Sequence, residues 1–440
     1  MTTTFNLVDS TNLESSVAQA YVAGWINGSS SSFQVLQSDG TFGGSGPTSV
    51  PFYLVSLMPT VTLDVATNGN DQLLFVVSPT QPTALTVLNS APQKYTQYPY
   101  PNTPGIAAPG PFDIFEFGRN AQDDVSAVSG FGLNLSFSVS GSVSQQFGVS
   151  SAVTRQEIGT AYTAFIANEA AFQPAAKAFA ELLYDGPINV ANAPAPPSID
   201  GQFFAISDPN DMLNALTNNY TTATDDPLAT YWDSTLNSFF AAGNYLSINL
   251  SGDAVPNVYS GQCTSTATGT AYTLTNGTNA YTFPNPLNSD TNPLGFAGAQ
   301  YVFQQAFGPY TPSGAGGDAG LLQDSIWQAL CRGVAMAGVF TSPVTGGAST
   351  FPWNDWTTWY TFIGAYHVYA KFLHYSDAAG NDSRTSGQLP IFIANAAYGF
   401  SEDENPDGPY SGPNVPSKSA DVPDGSTVTI TLGPWDTTSG

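Results

Sequence analysis

A double change of hydrophobic period constrains this chain more than any other feature. Residues 1–150 carry short apolar runs separated by Gly, Asn, Pro and Thr clusters, the pattern of strands in a sandwich or barrel. Residues 51–57, 61–65 and 72–77 are such runs, residues 32–37 alternate in part, and residues 132–139 alternate throughout. The Pro-rich residues 93–111 read as a long surface loop leading into a strand around Phe115. At Thr154 the period becomes helical. Thr154-Arg-Gln-Glu157 is a capping box, in which hydroxyl and carboxylate satisfy free backbone donors at a helix start. Ile158, Tyr162, Phe165 and Ile166 follow on one helical face. Further helices are predicted from Pro174 to Tyr184, from Ser207-Asp208-Pro209, and from Pro227. Alternation returns over residues 245–283, apolar helical segments cover 321–340 and 359–372, and strand-like runs at 391–394 and 427–432 close the chain.

The order β, mixed, β predicts a β-rich α+β protein. Both chain ends, residues 1–153 and 391–440, form one β unit, with a mixed α/β domain, residues 154–390, inserted between them. The cleft between two such units is where a ligand is expected.

Charge narrows the partners. The 440 residues hold 33 acidic side chains against 8 basic ones, a formal charge of -25, yet only 9% of the chain is charged. The surface is therefore mostly Ser, Thr, Asn, Gln and Gly. So few cations cannot neutralise phosphates, which excludes nucleic acid and anionic membranes as partners. A neutral polysaccharide fits, because sugars need hydroxyl partners and aromatic faces; solubility alone is the competing account of the charge. No apolar run is long enough to span a membrane, and the first ten residues lack the features of a secretory signal. Cys263 and Cys331 are the only cysteines; they could pair in an oxidising compartment or remain two buried thiols. The Gly-rich residues 313–320 lack the Lys-Ser/Thr of a phosphate cradle, and two isolated histidines without a His/Cys cluster predict no metal site and no cofactor.

Five stretches, in order along the chain, carry a resemblance. They are Phe112-Asp-Ile-Phe-Glu-Phe-Gly118, Asn134-Leu-Ser136, Thr154-Arg-Gln-Glu157, Tyr369-Ala-Lys-Phe-Leu-His374 and Tyr398-Gly-Phe-Ser-Glu-Asp-Glu404. Together they resemble the laminaripentaose-producing β-1,3-glucanase family, glycoside hydrolase family 64. The resemblance implies a thaumatin-like β-barrel or sandwich, an extracellular setting and a β-1,3-glucan ligand. It also implies inverting hydrolysis, with one carboxylic acid protonating the leaving oxygen and one carboxylate activating water about 6.5–9.5 Å away. Glu116 stands at the acid position. Where the family's base should follow Asn134-Leu-Ser136 this chain has Ser138, Val139 and Ser140, and Gly118 replaces the family's Thr. Asp123 and Asp124 are the candidates for a relocated base, although Asp also favours turns, and the turn reading is the stronger one. Asn134, Trp353, Trp356, Trp359, Tyr360, His374, Asp403 and Glu404 are the candidate binding residues; the aromatic ones serve equally as core or as a sugar platform, and the acidic ones as a solvated loop.

Three functions follow: glucan recognition on a glucanase-like fold with an incomplete catalytic pair, an active inverting endo-β-1,3-glucanase, or a self-associating structural protein whose weakly charged sheet edges lack protection.

Overall fold

The computed structural model describes residues 2–27, 33–44, 46–65, 71–89, 91–93, 95–96, 106–118, 121–128, 130–140, 145–184, 199–217, 227–250, 257–288, 302–303, 317–338, 356–361, 364–393 and 420–436. Its two large sheets are built chiefly from β1 (Thr3–Asp9), β2 (Gln19–Asn27), β3 (Phe33–Leu36), β4 (Thr60–Leu63), β5 (Asp71–Ser78), β6 (Phe112–Phe117), β7 (Ala121–Ser126), β8 (Leu135–Ser140), β9 (Gln145–Val149), β10 (Phe392–Ile393), β11 (Ala420–Val422) and β12 (Thr427–Leu432). One sheet has the order β10-β9-β8-β12-β1-β4. The other runs β11-β7-β6-β5-β2-β3 and continues to Phe42–Gly43, with Tyr53–Leu54 also paired to β2.

The last strand ties the ends together. β12 is strictly alternating, so one face presents Val428, Ile430 and Leu432 while Thr427, Thr429 and Thr431 face the other way. It lies parallel to β1, with Phe5 opposite Val428, and antiparallel to β8, with Phe137 opposite Ile430. Phe5, Phe137, Val428 and Ile430 from this sheet share one core with Val22, Leu73, Phe75, Phe115, Phe117 and Val125 from the other. Phe5 meets Phe117 at 4.9 Å and Phe115 meets Phe137 at 5.1 Å, tilted and edge-on respectively. Aromatic pairs of this kind add about 0.5–1.5 kcal/mol each beyond buried area. Among the described residues both sheets remain open, so of the expected barrel or sandwich the β part forms a sandwich.

The outer face of the second sheet belongs to a different core. Tyr21, Ala23, Trp25, Leu74, Val76 and Phe112 pack there with the helices. α1 (Arg155–Phe172) starts at the predicted capping box: Thr154 Oγ1 accepts from Glu157 N at 3.2 Å, and Glu157 Oε2 accepts from Thr154 N at 2.8 Å. α2 (Pro209–Thr217) starts where Asp208 Oδ2 accepts from Asp211 N at 2.8 Å. Four antiparallel strands between Tyr245 and Pro284 form the predicted alternating sheet.

Several boundaries differ from expectation. The segment after Pro174 is a 3-10 helix, Pro174–Leu182. The helix expected at Pro227 begins only at Asp233, as α3 (Asp233–Phe239). α4 (Asp318–Cys331) stops well before residue 340, because Gly333 adopts φ +71 and closes the end by donating to Leu330 O. The helix expected from 359 is α5 (Val368–Tyr375), begun by His367, whose Nδ1 accepts from Ala370 N; no helix can run continuously from 359 through Gly364, which adopts φ +105. Residues 93–111 are not only a loop: Tyr95–Thr96 pairs with Ile106–Ala107, and buried Tyr95 stacks on Phe52 at 5.9 Å. Cys263 and Cys331 are both buried and neither is in a disulfide, so of the two alternatives the structure has the buried thiols.

Candidate functional site

β6 alternates around Glu116. Phe115 and Phe117 enter the inter-sheet core, so Glu116 lies on the face turned towards the helical region, where it is half-buried. Register then defines a row. Trp25 on β2 stands opposite Gln72 on β5, Gln72 opposite Glu116 on β6, and Glu116 opposite Asp124 on β7. Gln72 Nε2 donates to Glu116 Oε1. Gln72 is 4% exposed, and its Oε1 has no hydrogen-bond partner among the described residues; a buried amide acceptor left so costs about 1–3 kcal/mol unless a partner arrives. Asp124, like Glu116, is half-buried.

Asp123 and Asp124 are strand residues, not turn residues, because β7 pairs with both β6 and β11. Alternation separates them. Asp124 joins the Glu116 face, whereas Asp123 shares the inner face with Val125 and is wholly buried. Gly118 N donates to Asp123 Oδ1 at 3.1 Å, and Oδ2 has no partner among the described residues. Burial pushes the Asp123 carboxyl well above the ordinary range, and the Asp71 charge pushes the same way. Such surroundings favour the protonated acid, which cannot take a proton from water. Asp123 is therefore unsuited to be the relocated base.

A buried charge cluster below the row was not legible in the sequence. Burial raises Asp113 to about 8, opposed by hydrogen bonds from Leu133 N and Gly132 N and by the Arg155 charge. Burial lowers Arg155 to about 9. The Arg155 guanidinium lies between the rings of Phe203 and Trp435, at 3.9 and 4.3 Å, and donates to Gly132 O and Phe204 O. It fastens the start of α1 to the sandwich. Asn134 does similar work: it is buried and its Nδ2 donates to Val153 O at 2.7 Å, so it holds backbone rather than facing a ligand.

The aromatic candidates divide. Trp359, Tyr360 and His374 are each 1% exposed. Tyr360 stacks on His374 at 6.3 Å, and the Arg332 guanidinium covers Trp359 at 4.2 Å. They form core, not an open platform. Trp353, Asp403 and Glu404 lie outside the described residues; Trp356 opens a 3-10 turn, Trp356–Thr358, but its side chain is outside the description. Among the described residues no cluster of His, Cys, Asp or Glu could hold a metal, and no helix is long and apolar enough to cross a membrane.

With this geometry in view, the fold has known counterparts. A β-1,3-glucanase domain of glycoside hydrolase family 64 from Clostridium beijerinckii superposes with a TM-score of 0.58 at 16% identity, covering 98% of each chain. The family 64 laminaripentaose-producing β-1,3-glucanase from Paenibacillus barengoltzii, solved in complex with laminarihexaose, superposes with a TM-score of 0.51 at 13% identity, covering 98% of this chain and 75% of that one. No family model matches the sequence, and no curated protein matches it either. The chain thus has a β-rich, glucanase-like fold. At these identities the likeness is one of fold.

Proposed function

We propose that this protein recognises a β-1,3-linked glucan on the Glu116 face of the second sheet, with weak or absent hydrolysis. The observation that carries the reading is the row Trp25–Gln72–Glu116–Asp124. It sets two half-buried carboxylates and a buried, unpartnered amide oxygen side by side on the face turned to the helical region. All three accept hydrogen bonds from hydroxyls and none supplies positive charge, which is what a neutral polyol needs. The identity of the polymer rests on the fold, since a counterpart was solved with laminarihexaose. We further assign residues 1–153 and 391–440 to one unit and 154–390 to an inserted one, and place the protein outside the cell.

Register also bears on turnover. Directly opposed residues of an antiparallel pair have Cβ atoms about 4.5–5.5 Å apart, whereas an inverting pair holds its carboxyls about 6.5–9.5 Å apart to admit a water. Glu116 and Asp124 spring from backbone positions closer together than that carboxyl spacing, and Asp123 faces the core. A second reading follows from the same apposition: a retaining pair holds its carboxyls about 5–5.5 Å apart, a spacing that side chains on directly opposed positions can reach, so slow double-displacement hydrolysis would use Glu116 and Asp124. Calorimetry and product analysis on one laminarin sample separate these readings. Binding without oligosaccharide release, weakened by Glu116→Gln, is the expected result. Release abolished by both Glu116→Gln and Asp124→Asn would establish the enzyme instead, and neither binding nor release would sink both.

A further inference from the structure

A cavity lies away from the sheet. It measures about 930 Å³ and is walled by the C-terminal half of α1, the segment around Tyr360, Lys371 of α5 and the turn at Asn381–Thr385. None of its lining residues comes from the strands carrying Trp25, Gln72, Glu116 and Asp124. Its volume is that of a small-molecule site.

Its charges are balanced. The chain has only 8 Lys and Arg, yet Lys371 and Arg384 both stand here, each held by a carboxylate. Lys371 Nζ lies 2.7 and 2.9 Å from the two Glu169 oxygens and 3.7 Å from Asp382 Oδ2. Arg384 grips Asp382 with two donors, Nε to Oδ1 at 2.9 Å and Nη2 to Oδ2 at 2.6 Å. Among the described lining residues two acids and two bases leave no net charge, so neither an anion nor a cation finds an uncompensated partner there. The rim is uncharged too. Asn168, Thr357, Thr361, Asn381 and Thr385 are exposed around it, and Phe172, 72% exposed, supplies an apolar ring face. Hydroxyls and amides around one exposed aromatic ring, over a charge-compensated floor, suit a sugar: polar edges meet donors and acceptors, and a C–H face meets the ring.

We infer that this cavity is a second carbohydrate site, which takes a short segment of the same β-1,3-glucan apart from the Glu116 face. The identity of the ligand rests on the function proposed above; the existence of a neutral-ligand site rests on the cavity. An ion-pair network that only docked α1 onto α5 would need neither the open volume nor an exposed phenyl ring beside it. Two sites on one chain would let the protein hold a polymer at two points, raising its effective concentration at each.

Hydrogen exchange of the whole protein with laminarihexaose tests this, because each site reports on its own peptides. The expected result is slowed exchange over residues 168–172 and 381–387 as well as over 112–126. Phe172→Ala removes an exposed ring and leaves the ion pairs in place. It should weaken the cavity response about tenfold, the equivalent of one aromatic contact, and leave the sheet response unchanged. Glu116→Gln should do the reverse. Protection confined to 112–126, or cavity protection indifferent to Phe172→Ala, overturns the second site and spares the sheet reading. Protection confined to the cavity peptides overturns the sheet reading and spares the second site.

Discussion

Asp123 offers the sharpest check on the electrostatics of the site. Its side chain is wholly buried between the sheets, with Gly118 N as the donor to one oxygen and no partner for the other among the described residues. Burial, with Asp71 on the same inner face, raises its pKa, so the native state keeps a proton that the unfolded chain releases from about pH 3.9 upward. For a carboxyl with a raised native pKa the sign is fixed. Its stabilising effect is fully present below the unfolded pKa and is lost as pH rises towards the native one. While the native carboxyl remains protonated, the loss is about 1.4 kcal/mol per pH unit, which caps the effect at about 4 kcal/mol between pH 4 and pH 7. Asp123→Asn keeps an acceptor for Gly118 N and removes the ionisation. The variant should match the wild type at pH 4 and gain stability relative to it by pH 7, to at most that ~4 kcal/mol. Urea denaturation followed by tryptophan fluorescence at both pH values measures the difference. A variant that is destabilised at pH 7 and not at pH 4 would refute the reasoning. It would mean that Asp123 is ionised and satisfied, which would restore it as a candidate base.

Two further tests bear on residues 154–390. Lys371 and Glu169 are almost fully buried and 2.7 Å apart, so Lys371→Met, which leaves Glu169 uncompensated, should cost about 3–5 kcal/mol, and Glu169→Gln with Lys371→Met together should recover much of it; a single-variant loss under about 1 kcal/mol in chemical denaturation would contradict the buried pair. Burial raises the Cys263 thiol to about 11 and both cysteines are buried, so an aromatic disulfide reagent should label neither thiol in the folded protein and both after unfolding; rapid native labelling would count against this packing.

The parts of the fold that could be read from the sequence are those set by local chemistry. The capping box at Thr154 and Glu157, the Thr-Val-Thr-Ile-Thr-Leu alternation of β12 and the strands between residues 245 and 283 each carry their signal within a few neighbours. Helix ends were less legible, because they depend on distant partners. Nothing local to residues 359–367 shows that Arg384 Nη1 will donate to Trp359 O, or that Tyr360 N will donate to Arg332 O and hold that stretch out of a helix. Burial was harder still. Trp359, Tyr360 and His374 have the composition of a sugar platform, and only the packing of Arg332 and α5 against them shows that they are core.

The site itself turned on register. Glu116 could be placed on a strand from its own neighbours, but Gln72 and Trp25 lie tens of residues away and reach it only because β5 sits between β2 and β6. Asp124 was closer to being legible. Gly118, Arg119 and Asn120 separate β6 from β7, and a connection of three residues containing Gly is a hairpin signal. Read that way, Phe117 would face Ala121 and Glu116 would face Gln122, which already puts Asp124 on the Glu116 face; the actual register, with Phe115 opposite Val125, brings Asp124 level with Glu116 itself. The same reading shows how narrow the margin is. Side chains alternate with a period of two, so one residue more or less in this connection would turn Asp124 into the hydrophobic core and put Asp123 beside Glu116. The carboxylate that can meet a ligand is therefore chosen by register, and the register of β7 on β6 chooses Asp124.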